Sequence, residues 1–406
     1  MQPARRVRAT VAILLSIILL AAACGDDGDE GVTASPDNNG AAGQDSTDGG
    51  CEGKSGEIKI GYVGTLSGPA SFLGEAPLRG AELAVKELND AGGVEGFTFS
   101  IVSQDDELDP AKGVAAAQRL VSQDQVDVVV GAAHSGVSQA MTEVTEQAGV
   151  PQISPLSALN PLTDPVKPYF FRFWNKDAVI ADTLAEFSIE NFDSVGLLYE
   201  TTAFGQGGKD ALTAAFEEHG EQLVAAEAFD LTAQDLTPQL SKLRSAGAEG
   251  IIVQSQGPQA ALTARNLEQL GYDARIIGHP GLAQQGFPTL AQGAAEGSIV
   301  IDGLDRDKEA TQEFIEAYEA EYGEEPFSFY PATGYDIVHL IGEALTNVDC
   351  DVDKLRDGME AVDGFQGVVG RDSAEISYGS DDHDGHGADA LIFKEIRDGQ
   401  LVPFEG

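Results

Sequence analysis

From residue 57 onward the hydrophobic positions switch repeatedly between two patterns. Short continuous or alternating apolar runs give way to longer stretches with apolar residues three or four apart. Residues 57–64 predict a strand. Residues 75–91 carry Leu78, Ala81, Leu83, Ala84, Val85 and Leu88 at helical spacing. Residues 97–103 predict a second strand. Asp109-Pro110 opens a helix with proline near its first position. The run at 126–131 is continuously apolar, as in a strand covered on both faces of a parallel sheet. A helix over 136–148 and a short strand over 151–154 complete this series.

The pattern resumes after a stretch holding Pro155, Pro161, Pro165 and Pro168. Strands are predicted at 194–199, 222–229, 250–254, 274–278 and 297–301. Helices are predicted at 178–191, 207–219, 237–246, 258–270, 308–322, 332–346 and 353–361. Weak strands are predicted at 364–370 and 390–396. Repeated strand–helix units imply parallel sheets with helices on both faces. Two such series imply an α/β protein of two doubly wound lobes.

The N-terminus follows a different rule. Arg5, Arg6 and Arg8 precede an apolar run from 11 to 23, which ends in Ala21-Ala22-Ala23-Cys24. The run is short for a membrane span and has the layout of a secretory signal. The cut site resembles that of a bacterial lipoprotein, with Cys24 becoming the lipidated first residue, although Ala21 stands where leucine is usual. Ordinary cleavage after Ala23 is the alternative. Residues 25–50 hold seven acids, seven glycines and no Lys or Arg. Such a segment cannot bury enough apolar surface to order itself and reads as a tether. The mature protein is therefore expected outside the cytoplasm, on the outer face of the cell membrane. Two further cysteines, Cys51 and Cys350, then suggest one disulfide, the alternative being two free thiols.

Charge narrows the partners. The chain has 67 Asp+Glu against 24 Lys+Arg, a net charge of −43. Such a surface repels phosphate and anionic lipid, which excludes nucleic-acid binding and polybasic docking. The sequence holds no nucleophile elbow, zinc-protease helix, phosphate loop or complete dinucleotide fingerprint. No catalytic role, cofactor or metal is expected. The loop Asp381-Asp382-His383-Asp384-Gly385-His386 is rich in ligand-type side chains, but its spacing matches no standard zinc site. His134 beside Ser135 lacks a third orienting group for hydrolase chemistry.

Ligands in open α/β sheets bind at the carboxyl ends of strands, beside helix N-termini. The turn Ala132-Ala133-His134-Ser135-Gly136 follows the apolar strand at 126–131. A hydroxyl and free N–H groups at such a turn suit a carboxylate, while simple helix capping by Ser135 is the alternative. Around these residues lie Gly61-Tyr62-Val63-Gly64-Thr65-Leu66-Ser67-Gly68-Pro69, Gly74, Gly80 and Ala81-Glu82-Leu83-Ala84-Val85. Asp105-Asp106, Asp109-Pro110, Val150-Pro151-Gln152-Ile153-Ser154-Pro155, Phe204-Gly205-Gln206-Gly207 and Gly334-Tyr335-Asp336 follow. From residue 57 to the C-terminus this order resembles the leucine/isoleucine/valine-binding family of periplasmic binding proteins, type I fold.

The resemblance implies a two-lobed clamp with a three-crossover hinge, acting as a monomeric solute receptor for the permease of an ABC importer. It implies lobes at 57–175 plus 303–370 and 176–302 plus 371–406, so that Cys51 and Cys350 fall on one lobe. By position, Ser135 matches the family's carboxylate-binding serine. Ser157 and Ala158 match a pair that contacts carboxylate and ammonium. Leu73, Phe204 and Gln256 match pocket-wall positions, with His134 beside Ser135. His279 reads as a hydrogen-bonding contact or as a surface turn histidine, and Trp174 as a ring stacking on the ligand or as plain core packing. Asp336 reads as a cap or hinge contact. Pro280 stands where amino-acid binders often carry an acid for the ligand ammonium. A branched-chain or related amino acid is the favoured ligand, with an amide, urea or an aromatic carboxylate as alternatives. A sensory subunit of the same fold is the alternative role.

Overall fold

A computed structural model describes residues 50–405, so the signal, Cys24 and most of the tether lie outside the described residues. The first series builds β1 (Gly56–Gly64), α1 (Phe72–Asp90), β2 (Phe97–Asp105), α2 (Pro110–Arg119), β3 (Val128–Gly131), α3 (Ser135–Ala148), β4 (Gln152–Ser154) and β5 (Phe170–Arg172). These strands form one parallel sheet in the order β2-β1-β3-β4-β5. All four residues of β3 are buried, as its apolar run requires.

The second series builds α4 (Asp177–Asn191), β6 (Val195–Glu200), α5 (Ala203–Glu218), β7 (Ala225–Phe229), α6 (Thr237–Ser245), β8 (Gly250–Gln254), α7 (Gly257–Leu270), β9 (Arg275–Gly278), α8 (Gly286–Ala291) and β10 (Ile299–Asp302). The chain then returns to the first sheet with α9 (Glu309–Tyr322), α10 (Tyr330–Asn347) and α11 (Leu355–Glu360). It crosses once more to add β11 (Ile392–Arg397) and β12 (Gln400–Pro403). The second sheet has the order β12-β11-β10-β9-β8-β6-β7. It is parallel except for the antiparallel pairs β10–β11 and β11–β12.

The expected α/β class and two doubly wound sheets are present. Some details differ. The weak strand expected at 364–370 forms only isolated bridges, Phe365 to Ile376 and Leu304 to Gly370. Its backbone is diverted instead: Val368 and Val369 N–H groups donate to the Asp336 carboxylate at 2.8 and 2.8 Å. Helix α10 begins two residues earlier than expected, because Pro331 occupies a first-turn position that needs no N–H partner. Cys51 and Cys350 are joined in a disulfide across 299 residues.

Candidate ligand site between the two sheets

The carboxyl ends of strands from both sheets meet at one cavity. Beyond β3 lie Ala133, His134 and Ser135; beyond β5 lies Trp174; beyond β6, Phe204; beyond β8, Gln256; beyond β9, His279 and Pro280. Leu73 from α1, Leu156, Phe329 and Tyr330 close the remaining wall. The free space left among these side chains is about 20 Å³, room for about one water molecule.

His134, and not Ser135, caps α3. Its Nδ1 accepts the Gly136 N–H at 3.3 Å. Ser135 is the first helical residue, and its Oγ is buried with no partner. The capping alternative for Ser135 therefore does not apply. His134 Nε2 is also unpartnered. It lies 3.7 Å from Glu200 Oε1, beyond hydrogen-bond range. Glu200 is committed elsewhere: Thr202 Oγ1 and Ser255 Oγ donate to it at 2.6 and 2.7 Å.

His279 has the same construction on the opposite sheet. Its Nδ1 accepts the Gly281 N–H at 2.9 Å, and its Nε2 has no partner. Burial pushes its pKa down to about 3, so the ring is neutral. Phe204 packs edge-on against both imidazoles, at 6.0 Å from His134 and 5.0 Å from His279. Trp174 stacks on Phe329 at 4.1 Å, and its buried Nε1 has no acceptor. Gln256 Oε1 accepts from Gln284 Nε2 at 2.8 Å.

Two residues expected at the site lie behind its wall. Ser157 Oγ contacts Ala132 O, Ala133 O and Ser138 Oγ at 3.1, 3.3 and 2.8 Å. That hydroxyl is spent on the turn carrying His134, so it supports the site without reaching it. Ala158 is buried and does not line the cavity. Conversely, Phe329 and Tyr330 were not foreseen. Their signal is an aromatic pair just ahead of Pro331, where the returning chain enters α10. A wider open depression of about 560 Å³ adjoins the cavity and shares Tyr330. None of its lining residues carries a buried unpartnered polar atom, so the smaller cavity is the candidate site.

The acidic loop at 381–386 is not a ligand cage. Asp384 faces Arg172 and Lys176, and His383 Nδ1 lies 2.9 Å from Phe170 O. No group of three or more His, Cys, Asp or Glu able to hold a metal occurs among the described residues.

Comparison with known proteins agrees with this layout. The profile of the Periplasmic binding protein family matches residues 57–400. A Leu/Ile/Val-binding protein homolog of Brucella melitensis is 29% identical over 65% of this chain and 72% of its own. A leucine-, isoleucine-, valine-, threonine- and alanine-binding protein of Pseudomonas aeruginosa is 26% identical over 75% of this chain and 82% of its own. The crystal structure of a branched-chain amino acid transporter substrate-binding protein from Streptococcus pneumoniae, in complex with isoleucine, superposes with a TM-score of 0.77. It is 26% identical and covers 86% of this chain and 98% of that one.

Proposed function

The chain belongs to the periplasmic binding protein family, and from that premise we propose that it is a lipid-anchored solute receptor of an ABC importer. In this reading Cys24 carries the anchor and residues 25–50 the tether. The two sheets, as lobes at 57–175 plus 303–370 and 176–302 plus 371–406, close on a small carboxylate-bearing ligand by hinge motion. The ligand is then handed to permease subunits. Ser135, His134, His279, Trp174, Phe204, Leu73 and Gln256 would contact it. The branched-chain amino acids named for the relatives set the expected size and apolar body. Leu73, Leu156 and Phe204 suit such a body.

One observation carries the reading. Four buried polar atoms with no partner among the described residues line a single cavity between the sheets: Ser135 Oγ, His134 Nε2, His279 Nε2 and Trp174 Nε1. Each leaves a desolvation cost of about 1–3 kcal/mol that a bound ligand would relieve. Thermal unfolding of the mature protein against small carboxylates tests this. A ligand at 100 times its Kd stabilises by about 2.7 kcal/mol, and no stabilisation by any member overturns the reading. Loss of membrane association in Cys24→Ser tests the anchor separately.

A further inference from the structure

The polar character of the cavity is one-sided. In each histidine Nδ1 accepts a backbone N–H, which assigns the single ring proton to Nε2. His134 and His279 therefore present N–H donors where their Nε2 atoms are unpartnered. Trp174 Nε1 is a donor by its chemistry, and the Ser135 hydroxyl can donate. All four residues are at least nine-tenths buried.

Anionic acceptors are missing from the same wall, and its side-chain amide oxygen, Gln256 Oε1, already takes the Gln284 amide. No Asp or Glu lines the cavity. The buried acids near it are engaged by the protein: Glu200 by two hydroxyls, and Asp302 by the Gly303 and Phe329 N–H groups at 2.9 and 3.0 Å. Ala133 O faces the Ser157 hydroxyl and Pro280 O faces the Tyr330 hydroxyl. Pro280 itself offers no side-chain acceptor. An α-ammonium brings a full charge and three donors into this enclosure. Leaving it unpaired there costs several kcal/mol.

Resting on the receptor reading above, we infer that the ligand is a carboxylate without an α-ammonium, of the 2-oxo acid type, recognised through acceptor atoms alone. Its carboxylate takes the Ser135 hydroxyl at the N-terminus of α3. Its 2-oxo oxygen takes an imidazole N–H from His134 or His279. Its hydrocarbon body lies along Leu73 and Phe204. Discrimination follows from what is buried unpaired. A site built of donors accepts the carbonyl and rejects the ammonium of the same skeleton.

Calorimetric titration tests this on the purified mature protein, freed of endogenous ligand by unfolding and refolding. The probes are leucine and 4-methyl-2-oxopentanoate, which share one carbon skeleton. The oxo acid is expected to bind at least about tenfold more tightly, a difference of one decade in Kd. In His279→Leu that preference should shrink towards unity, with the fold checked by circular dichroism. Leucine binding as tightly as the oxo acid, or tighter, overturns this inference and leaves the receptor reading standing. Binding of neither probe, nor of any other small carboxylate, overturns both.

Discussion

Asp384 Oδ1 lies 2.9 Å from the Nε of Arg172, 212 residues earlier in the chain, and this pair pins the last crossover to the first. Arg172 is fully buried. It also donates to the carbonyls of Ser157 and Leu159 and to the Thr163 hydroxyl. Lys176 Nζ meets the second Asp384 oxygen at 2.6 Å. Burial pushes the Asp384 carboxyl up, but the Arg172 charge and the hydrogen bonds from Lys176, Thr163 and Arg172 outweigh it and hold it below the usual range. Removing one partner of a buried pair leaves an uncompensated charge, at about 3–5 kcal/mol. Asp384→Asn should therefore lower the urea midpoint with an unchanged slope. A midpoint within error of the wild type would show the pair to be idle.

Helices α1 and α10 approach through reciprocal glycines. A Cβ on Gly80 would overlap Pro331 O, and one on Gly334 would overlap Pro77 O. Backbone cannot step aside as a side-chain end can, so either alanine forces the helices apart. Overpacking of this kind costs roughly 1–3 kcal/mol or more. Gly80→Ala and Gly334→Ala should each destabilise by at least that much, measured by chemical denaturation. An additive double mutant would mean that the two sites do not share one contact, since neighbours couple.

These glycines also show what could be read in advance. Gly80 and Gly334 belong to the motif order that resembles the binding-protein family, and their packing gives the physical reason, since so close a backbone approach leaves no room for a Cβ. Buried strands such as β3 and β8 were legible from continuous apolar runs. The turn holding His134 and Ser135 was legible because it follows such a strand. Strand β5 was not, since three residues carry no period and a proline-rich stretch runs up to them. Strand β12 has only four residues, with a single buried side chain. The placement of Trp174 against Phe329 depends on chain crossovers that no local window contains. Ser157 misled because its residue type fits a ligand contact, while its hydroxyl turns back onto the 132–133 carbonyls.

The disulfide between Cys51 and Cys350 closes a loop of 299 residues in sequence separation. Cross-links over long loops restrict the unfolded chain most, although measured gains stay at roughly 2–5 kcal/mol. The double variant Cys51→Ser/Cys350→Ser should lose stability in that range while keeping its secondary structure. Intact mass before and after reduction of the wild type should differ by two hydrogens from this bond. No such gain would leave the two thiols free.

Two buried groups titrate with opposite effect. Burial lowers the His386 pKa to about 3, with the Lys308 charge adding to it. Between about 3 and the ordinary histidine value of 6.5, the unfolded chain binds a proton that the folded one does not. Stability from this group is therefore lost as pH falls through that window. Burial raises Asp177 to about 7 despite the Arg172 charge, against 3.8 ordinarily. Here the folded state binds the extra proton, so stability falls as pH rises from about 4 through 7. Asp177→Asn should be more stable than the wild type at pH 8 and close to it at pH 5. His386→Gln should flatten the decline below pH 6.5. Unfolding curves across pH 4–8 that run parallel for all three proteins would contradict both assignments.

The net charge of −43 sets the last prediction. Several exposed acids do find cations, as in Arg79–Glu324 and Lys86–Glu321 at 2.9 and 3.0 Å. Exposed pairs contribute about 0–1 kcal/mol each, and salt weakens them. Acids outnumber Lys and Arg by 67 to 24, so most carboxylates have no Lys or Arg to pair with. Salt at 1 M shortens electrostatic reach to about 3 Å, against about 30 Å at 0.01 M. Relief of repulsion among the surplus acids should then exceed the loss from the few pairs. The Tm should rise by several degrees between 10 mM and 1 M sodium chloride. Chloride is preferred to sulfate, which strengthens apolar burial in any protein. A flat or falling Tm would mean that the paired surface, and not the surplus charge, governs the response to salt.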